Sequence, residues 1–195
     1  LFANGISLEK VIIIPDTINT IKREITKNKS KYHYIITTGG IGPTHDDVTA
    51  ESVSLALKKK YQLHKSALEE LRIYYKKVKS DLTDARKKMA FMPKGSKLIK
   101  NKVSGAPGFN IENIYVFAGI PSIVEVMMDE FLKLNRAKNK FFTSKIVTKF
   151  HESQIAHILS HAENNYKDVK IGSYPIFDGK PKGVEIIINS LNNKD

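Results

Sequence analysis

Cysteine is absent from this sequence of 195 residues. Its absence excludes a disulfide framework and any chemistry that depends on a thiolate. The apolar runs are short, and none approaches the roughly 20 residues that a membrane-spanning helix needs. The N-terminus also lacks the basic head and apolar run of a signal peptide. We therefore expect a cytoplasmic protein without a membrane partner.

Arginine is scarce. The 32 basic residues include only Arg23, Arg72, Arg86 and Arg136 as arginines, so lysine supplies most of the net charge of +12. Proteins that read base sequences favour arginine, and no aromatic-plus-basic motif of the RNA-binding type is present. We therefore expect the positive surface to attract small anionic ligands rather than nucleic acid.

Strand-like and helix-like segments alternate along the first part of the chain. Apolar runs typical of buried parallel strands occupy residues 10–15, 32–38 and 114–118. Apolar residues at helical spacing predict helices at residues 17–27, 50–60, 66–78, 82–92 and 123–134. The alternation predicts an α/β fold in which helices cover both faces of a parallel sheet.

A polar, charged linker at residues 135–140 leads to a second part of the chain. There the pattern predicts a strand at residues 141–150, a helix at 153–164, and strands at 169–174 and 183–190. A turn from Asp178 to Pro181 favours antiparallel pairing of the last two strands. The sequence therefore predicts domains at residues 1–138 and 139–195, the second being a small β-α-β-β unit.

The stretch from Tyr34 to Thr49 reads Y-I-I-T-T-G-G-I-G-P-T-H-D-D-V-T. Gly39, Gly40 and Gly42 follow an apolar strand and precede a helix, so their backbone N–H groups can approach an anion beside the helix dipole. The pattern is neither a Walker loop nor a dinucleotide fingerprint. A tight turn that needs positive φ would explain the glycines equally well.

Two aspartates end this glycine loop. The carboxylates of Asp46 and Asp47 would repel a bare phosphate, so the site needs a mediating cation, or a hydroxyl or N–H group on the ligand. Mg²⁺ that bridges a carboxylate and a diphosphate is the natural solution. Helix capping is the alternative, but Thr49 is expected to fill the N-cap, which favours a functional role for Asp47 more than for Asp46.

Asp16 follows the first predicted strand. Ligands of parallel sheets bind at the carboxyl ends of the strands, so Asp16, the glycine loop and the turn at residues 119–122 should share one edge. Asp16 and Asp47 could then form a two-carboxylate metal or proton-transfer site, although Asp16 also suits a helix N-cap. His157 and His161 have a possible metal-ligand spacing but point away from their helix's apolar stripe, so we expect them in solvent.

Residues 37–49 (T-T-G-G-I-G-P-T-H-D-D-V-T) resemble the signature of the molybdopterin-binding domain of the MoaB/Mog proteins, CinA and one half of FAD synthases. Residues 11–16 (V-I-I-I-P-D) and 86–95 (R-K-K-M-A-F-M-P-K-G) also fit this family. Residues 106–109 (A-P-G-F), 117–123 (F-A-G-I-P-S-I) and 171–175 (I-G-S-Y-P) support the same match. Their order is most similar to the CinA and FAD-synthase branch.

The resemblance implies a three-layer α/β/α domain with a mostly parallel sheet that assembles as a homo-oligomer, a dimer or trimer. Mog-type members adenylylate molybdopterin with Mg-ATP through aspartates that match Asp16 and Asp47. CinA-type domains are associated with metal-dependent pyrophosphatase action on ADP-ribose or related dinucleotides. We predict Asp16 and Asp47 as catalytic residues and Asp47 as the ligand of Mg²⁺ or a similar metal. The predicted ligand-binding residues are Thr38, Gly39, Gly40, Gly42, Pro43, Asp46, Thr49, Gly119, Pro121 and Ser122.

Three functions remain open at this stage. The branch favours a metal-dependent nucleotide pyrophosphatase, and the alternatives are a molybdopterin adenylyltransferase and a non-catalytic module that binds a phosphorylated pterin or nucleotide. Family members normally begin with a strand and a glycine- and acid-containing loop, whereas this sequence resembles the family only from the end of the following helix. We therefore expect a missing first strand, low activity, and self-association through an exposed strand edge.

Overall fold

The computed structural model describes residues 1, 4–135 and 142–190 of the chain. These residues form two compact units, one of Ile12–Leu134 and the other of Leu1–Val11 with Asn135–Asp195. The predicted domain boundary between residues 138 and 139 lies outside the described residues. No helix in the described ranges combines the length and apolar character that crossing a membrane requires.

The unit Ile12–Leu134 contains five helices and six strands among its described residues. The helices are α1 (Ile18–Asn28), α2 (Thr49–Ala56), α3 (Lys65–Lys77), α4 (Asp84–Lys87) and α5 (Pro121–Leu134). The strands are β1 (Ile35–Thr38), β2 (Tyr61–Leu63), β3 (Phe91–Pro93), β4 (Lys97–Ile99), β5 (Gly108–Ile111) and β6 (Ile114–Phe117). The helices predicted before and after the glycine loop are thus confirmed.

The main sheet has the strand order β1-β6-β5-β4. Strand β1 runs parallel to β6, whereas β5 is antiparallel to both β6 and β4. Strands β2 and β3 form a separate antiparallel pair. The predicted α/β class is confirmed, and the sheet in the described residues is mixed rather than uniformly parallel.

Alternate residues of β6 show that helices cover both faces of the sheet. Ile114 and Val116 belong to the buried cluster that contains residues of α1, α2 and α3. Tyr115 and Phe117 contact the ring of Phe131 in α5, with centroid distances of 4.7 and 6.5 Å. Because neighbouring residues of a strand point to opposite faces, β6 lies between two helical layers.

The strand predicted at residues 10–15 is wrong. This segment pairs with no described strand, and Ile13 is 94% exposed, although Ile14 packs against the core. An apolar run becomes a strand only when neighbouring backbone groups complete its hydrogen bonds. In the described part of the chain, β1 is an edge strand that pairs only with β6.

The helix predicted at residues 82–92 is also wrong over most of its length. Thr83 caps the short helix α4, a single 3-10 turn (Lys88–Ala90) follows, and Phe91–Pro93 then pairs with β2 as strand β3. Strand pairing buries Met92 and brings the Phe91 ring to 5.6 Å from the Tyr61 ring. Tertiary burial here outweighs local helix propensity.

The second unit has the predicted β-α-β-β order. It comprises β7 (Phe142–Thr148), α6 (Glu152–Asn165), β8 (Val169–Phe177) and β9 (Pro181–Ser190), with β9 between β7 and β8 and antiparallel to both. Ile155 of α6 is buried against Val184 and Ile186 of β9. His157 and His161 lie on the exposed side of α6, as predicted.

Candidate functional site

The parallel pairing of β1 with β6 brings two of the predicted loops together. Thr38 is in register with Phe117, and the N–H group of Gly39 donates to the Phe117 carbonyl at 3.1 Å. A Cβ atom on Gly119 would lie 3.2 Å from the Gly39 Cα atom. The glycine loop and the turn at residues 119–122 therefore meet at the carboxyl ends of adjacent strands, where α/β sheets bind ligands.

The glycine loop has a conformation that depends on glycine. Gly39 and Gly40 have φ angles of 94° and 68°, in the left-handed region that other residues rarely enter. The Thr49 N–H group donates to the Gly40 carbonyl at 2.9 Å, which ties the start of α2 to the loop. The loop thus passes close beside the helix N-terminus.

Asp47 holds the end of the loop in shape. Its Oδ2 atom accepts hydrogen bonds from the Thr44 N–H group at 2.8 Å and from the Thr44 hydroxyl at 2.5 Å. A Cβ atom on Gly42 would lie 2.6 Å from the same oxygen. Asp47 therefore stabilises the turn, and its other oxygen, Oδ1, takes part in neither of these two hydrogen bonds.

Both loop aspartates favour their charged forms. Burial alone would raise the pKa of Asp47, but hydrogen bonds from Thr44 and the Gly42 backbone outweigh it and lower the pKa below its usual range. The Thr44 side chain, followed by the Asp46 backbone, lowers the pKa of exposed Asp46. The glycine loop therefore carries two negative charges at neutral pH.

The helix cap differs from the prediction. Val48 is the N-cap of α2, without a side-chain cap hydrogen bond, and Thr49 is the first helical residue and is buried. Asp47 bonds to Thr44 rather than to the helix. The expectation that Thr49 fills the N-cap was wrong, because α2 begins at Thr49, one residue earlier than predicted.

The other predicted site residues differ in exposure. Gly39, Gly40 and Gly42 are half-buried within the loop. Exposed positions are held by Thr38, Pro43, Asp46, Gly119, Pro121 and Ser122, the last two opening helix α5. These six positions are therefore accessible to solvent.

Asp16 is not carried to this edge by a strand. It is exposed, lies in a bend after the unpaired segment, and precedes Thr17, which is the N-cap of α1. The capping role considered for Asp16 is therefore wrong as well. Its pairing with Asp47 stays a prediction.

Lys88 contacts the glycine loop, although the sequence did not predict it among the site residues. Its ammonium group donates a hydrogen bond to the Thr44 carbonyl in the glycine loop. With Asp47 and Tyr61 it supplies polar groups to the wall of a small pocket of about 10 Å³, roughly the space of one water molecule. Burial, followed by the Glu51 carboxylate, raises the pKa of Tyr61 to about 12, so its hydroxyl stays protonated at neutral pH.

Comparison with known proteins identifies two family models along the chain. Residues 1–137 match a probable molybdopterin binding domain, and residues 140–195 match the middle domain of FAD synthase. A protein of Archaeoglobus fulgidus is 33% identical over 171 residues, which cover 88% of this chain and 72% of the relative. A protein of Pyrococcus furiosus is 35% identical over 199 residues, which cover 95% of this chain and 79% of that relative.

A solved structure shares the fold. The crystal structure of the protein CinA with unknown function from Thermoplasma acidophilum superposes with a TM-score of 0.60 at 24% sequence identity. The match covers 67% of this chain and 79% of that protein. At this identity the similarity concerns the fold alone.

Proposed function

This chain belongs to the probable molybdopterin-binding domain family, and on that premise we propose that it is a metal-dependent nucleotide pyrophosphatase acting on ADP-ribose- or FAD-type dinucleotides. The observation that carries the proposal is the contact of Gly119 with Gly39, at the start of a glycine loop whose other end is held by the Asp47 carboxylate. Backbone amides at such a loop suit the oxygens of a diphosphate. Water would attack one phosphorus atom and the P–O–P bond would break to release two monophosphates.

The donor set suits a cation that shares its ligands with the substrate. No group of three or more histidine and acidic side chains in the described residues could hold a metal ion. Mg²⁺ commonly binds through one or two carboxylates together with substrate phosphates. Oδ1 of Asp47 and the exposed carboxylate of Asp46 would hold it, and when bound it would neutralise charge on the diphosphate.

The residues of the chain would bind and orient the substrate. The Gly40 N–H group and the N-terminal turn of α5 would receive phosphate oxygens, whereas the Gly39 N–H group is taken up by the Phe117 carbonyl. Asp47 would hold the end of the loop in shape through Thr44. Low pKa values keep Asp46 and Asp47 ionised, as cation binding requires.

A non-catalytic binding module is the second candidate. One observation favours it: Oδ2 of Asp47 already accepts two hydrogen bonds within its own loop. Such a module would bind a nucleotide or a phosphorylated pterin with saturable affinity and release no product. A molybdopterin adenylyltransferase would instead consume ATP and release pyrophosphate.

Three assays with Mg²⁺ and other divalent cations distinguish these functions: hydrolysis of ADP-ribose, hydrolysis of FAD, and release of pyrophosphate from ATP with molybdopterin. We expect the unmodified chain to release AMP from ADP-ribose. Asp47→Asn keeps an oxygen that can accept from Thr44 but loses the negative charge, so it should release AMP at least about a hundredfold more slowly. Asp81→Asn is the matched control and should retain activity. Equal turnover by Asp47→Asn would contradict the proposed role, and binding without product would favour the module.

A further inference from the structure

Lys88 contacts a part of the chain that is distant in sequence. Its ammonium group reaches the Thr44 carbonyl across 44 residues of sequence. In contrast, Lys87, Lys133 and Lys182 pair with carboxylates three or four residues away. The fold, rather than local helix geometry, therefore places the Lys88 charge at the glycine loop.

The backbone around Lys88 is fixed on both sides. Lys88 begins the 3-10 turn after α4, and its side chain is half-buried. Two residues later Ala90 is fully buried, and its carbonyl accepts from the His64 N–H group at 2.8 Å. The contact with the Thr44 carbonyl restricts the side chain itself, which lowers the side-chain entropy that is lost when a ligand binds.

The charge of Lys88 compensates the two loop aspartates. Ionised Asp46 and Asp47 repel a phosphate at the loop, and Lys88 is one of the groups that stabilise the charge on Asp46. An ammonium group has three N–H donors, of which the Thr44 carbonyl takes one. The remaining donors can bond to a phosphate that enters beside the loop.

We propose that Lys88 is an anion-binding residue of the glycine-loop site and directly contacts the diphosphate of the ligand. This inference rests on the proposed binding of a nucleotide diphosphate and adds a residue to it. The Thr44 carbonyl holds the ammonium group ready in the free protein. Lys88 also compensates part of the repulsion from the aspartates before any cation binds.

Variants of adjacent lysines test the proposal. Affinities for ADP-ribose and for inorganic pyrophosphate are measured by calorimetry at low and high salt for Lys88→Gln, Lys88→Arg and the control Lys87→Gln. We expect Lys88→Gln to bind both ligands at least about tenfold more weakly than the unmodified chain, because it loses a charge-assisted hydrogen bond. Its affinity should also depend less on salt concentration. Lys88→Arg should recover part of the affinity, and Lys87→Gln should bind like the unmodified chain.

Lysine acetylation provides a test that does not depend on how a variant folds. The unmodified protein is treated with an acetylating N-hydroxysuccinimide ester with and without pyrophosphate, and modification is quantified by mass spectrometry. We expect pyrophosphate to protect Lys88 and to leave Lys87 reactive. If the protein binds pyrophosphate but Lys88 stays unprotected and Lys88→Gln binds equally, this inference is wrong and the proposed function stands. If the unmodified chain binds neither ligand, both fail.

Discussion

Gly40 and Thr49 approach so closely that no side chain fits between them. The Thr49 N–H group donates to the Gly40 carbonyl at 2.9 Å, and a Cβ atom on Gly40 would lie 2.1 Å from Thr49 Oγ1. The loop that would receive a phosphate is therefore held directly against the N-terminus of α2. Its shape depends on a missing side chain as well as on a positive φ angle.

Alanine at Gly40 should destabilise the chain more than alanine at Gly95. Both glycines have positive φ, 68° and 93°, but a Cβ atom on Gly95 would meet nothing within 4 Å. Backbone strain should lower the free energy of unfolding of each variant by about 1 kcal/mol or more. The clash with Thr49 should lower that of Gly40→Ala by roughly a further 1–3 kcal/mol. Urea unfolding measures the difference. Equal losses would show that Thr49 moves aside at little cost.

The Asp47 contacts predict a loss of stability in acid. The pKa of Asp47 is lowered on folding, so the folded protein binds its proton less readily than the unfolded chain. This stabilisation is fully present above the unfolded pKa of about 3.9 and is lost as the pH falls through the lower folded pKa. As the pH falls from about 6 to about 2.5, the free energy of unfolding should decrease less steeply for Asp47→Asn than for the unmodified chain.

Asp84 and Glu130 provide the comparison for this experiment, because their pKa values are also lowered. Each is held by a lysine three residues away in an exposed ion pair, and such pairs contribute little to stability. Asp84→Asn should therefore leave the acid-dependent decline nearly unchanged. A larger effect from Asp84→Asn than from Asp47→Asn would contradict the importance of the Thr44 contacts.

Much of the site could be predicted from local sequence. The apolar run before Gly39 and the helical pattern after Thr49 specify a strand, a glycine loop and a helix, and this unit forms. The β1–β6 pairing that joins it to Gly119 follows from the preference of α/β folds for adjacent parallel strands. These features depend on hydrophobic period and turn residues, which can be read within a window of about 15 residues.

The remaining features depend on contacts distant in sequence. Residues 10–15 have the composition of a strand, but they do not pair with any described strand. Lys88 lies in the segment 86–95 that resembles the family, but no local pattern shows that its ammonium group contacts the Thr44 carbonyl. Neither feature can be predicted from local patterns, because both depend on which elements become neighbours in the fold.

The unpaired segment before α1 predicts self-association. Ile13 is 94% exposed and Val11 is 70% exposed, and β1 lies at the edge of the sheet in the described residues. Exposed apolar side chains and an open strand edge favour pairing with another chain. Sedimentation velocity should show association that increases with protein concentration and decreases in Ile13→Lys.

Ile73→Lys is the matched control for this effect. Ile73 lies on α3 and is 62% exposed, so the substitution makes the same change in charge and apolar area. It should leave association nearly unchanged. If both variants reduce association equally, the added charge rather than the segment before α1 is responsible.

Alanine at Gly119 should weaken ligand binding at little cost in stability. The new Cβ atom would lie 3.2 Å from the Gly39 Cα atom, so the two loops must separate by a few tenths of an ångström. Gly119 has no positive φ, which keeps the expected stability loss below about 1 kcal/mol. Because binding groups must be held within about 0.5 Å, the affinity for ADP-ribose should fall about tenfold. Gly95→Ala, which is destabilised by its φ angle, should bind normally in the same calorimetric assay, and unchanged affinity in Gly119→Ala would show that the ligand does not contact both loops.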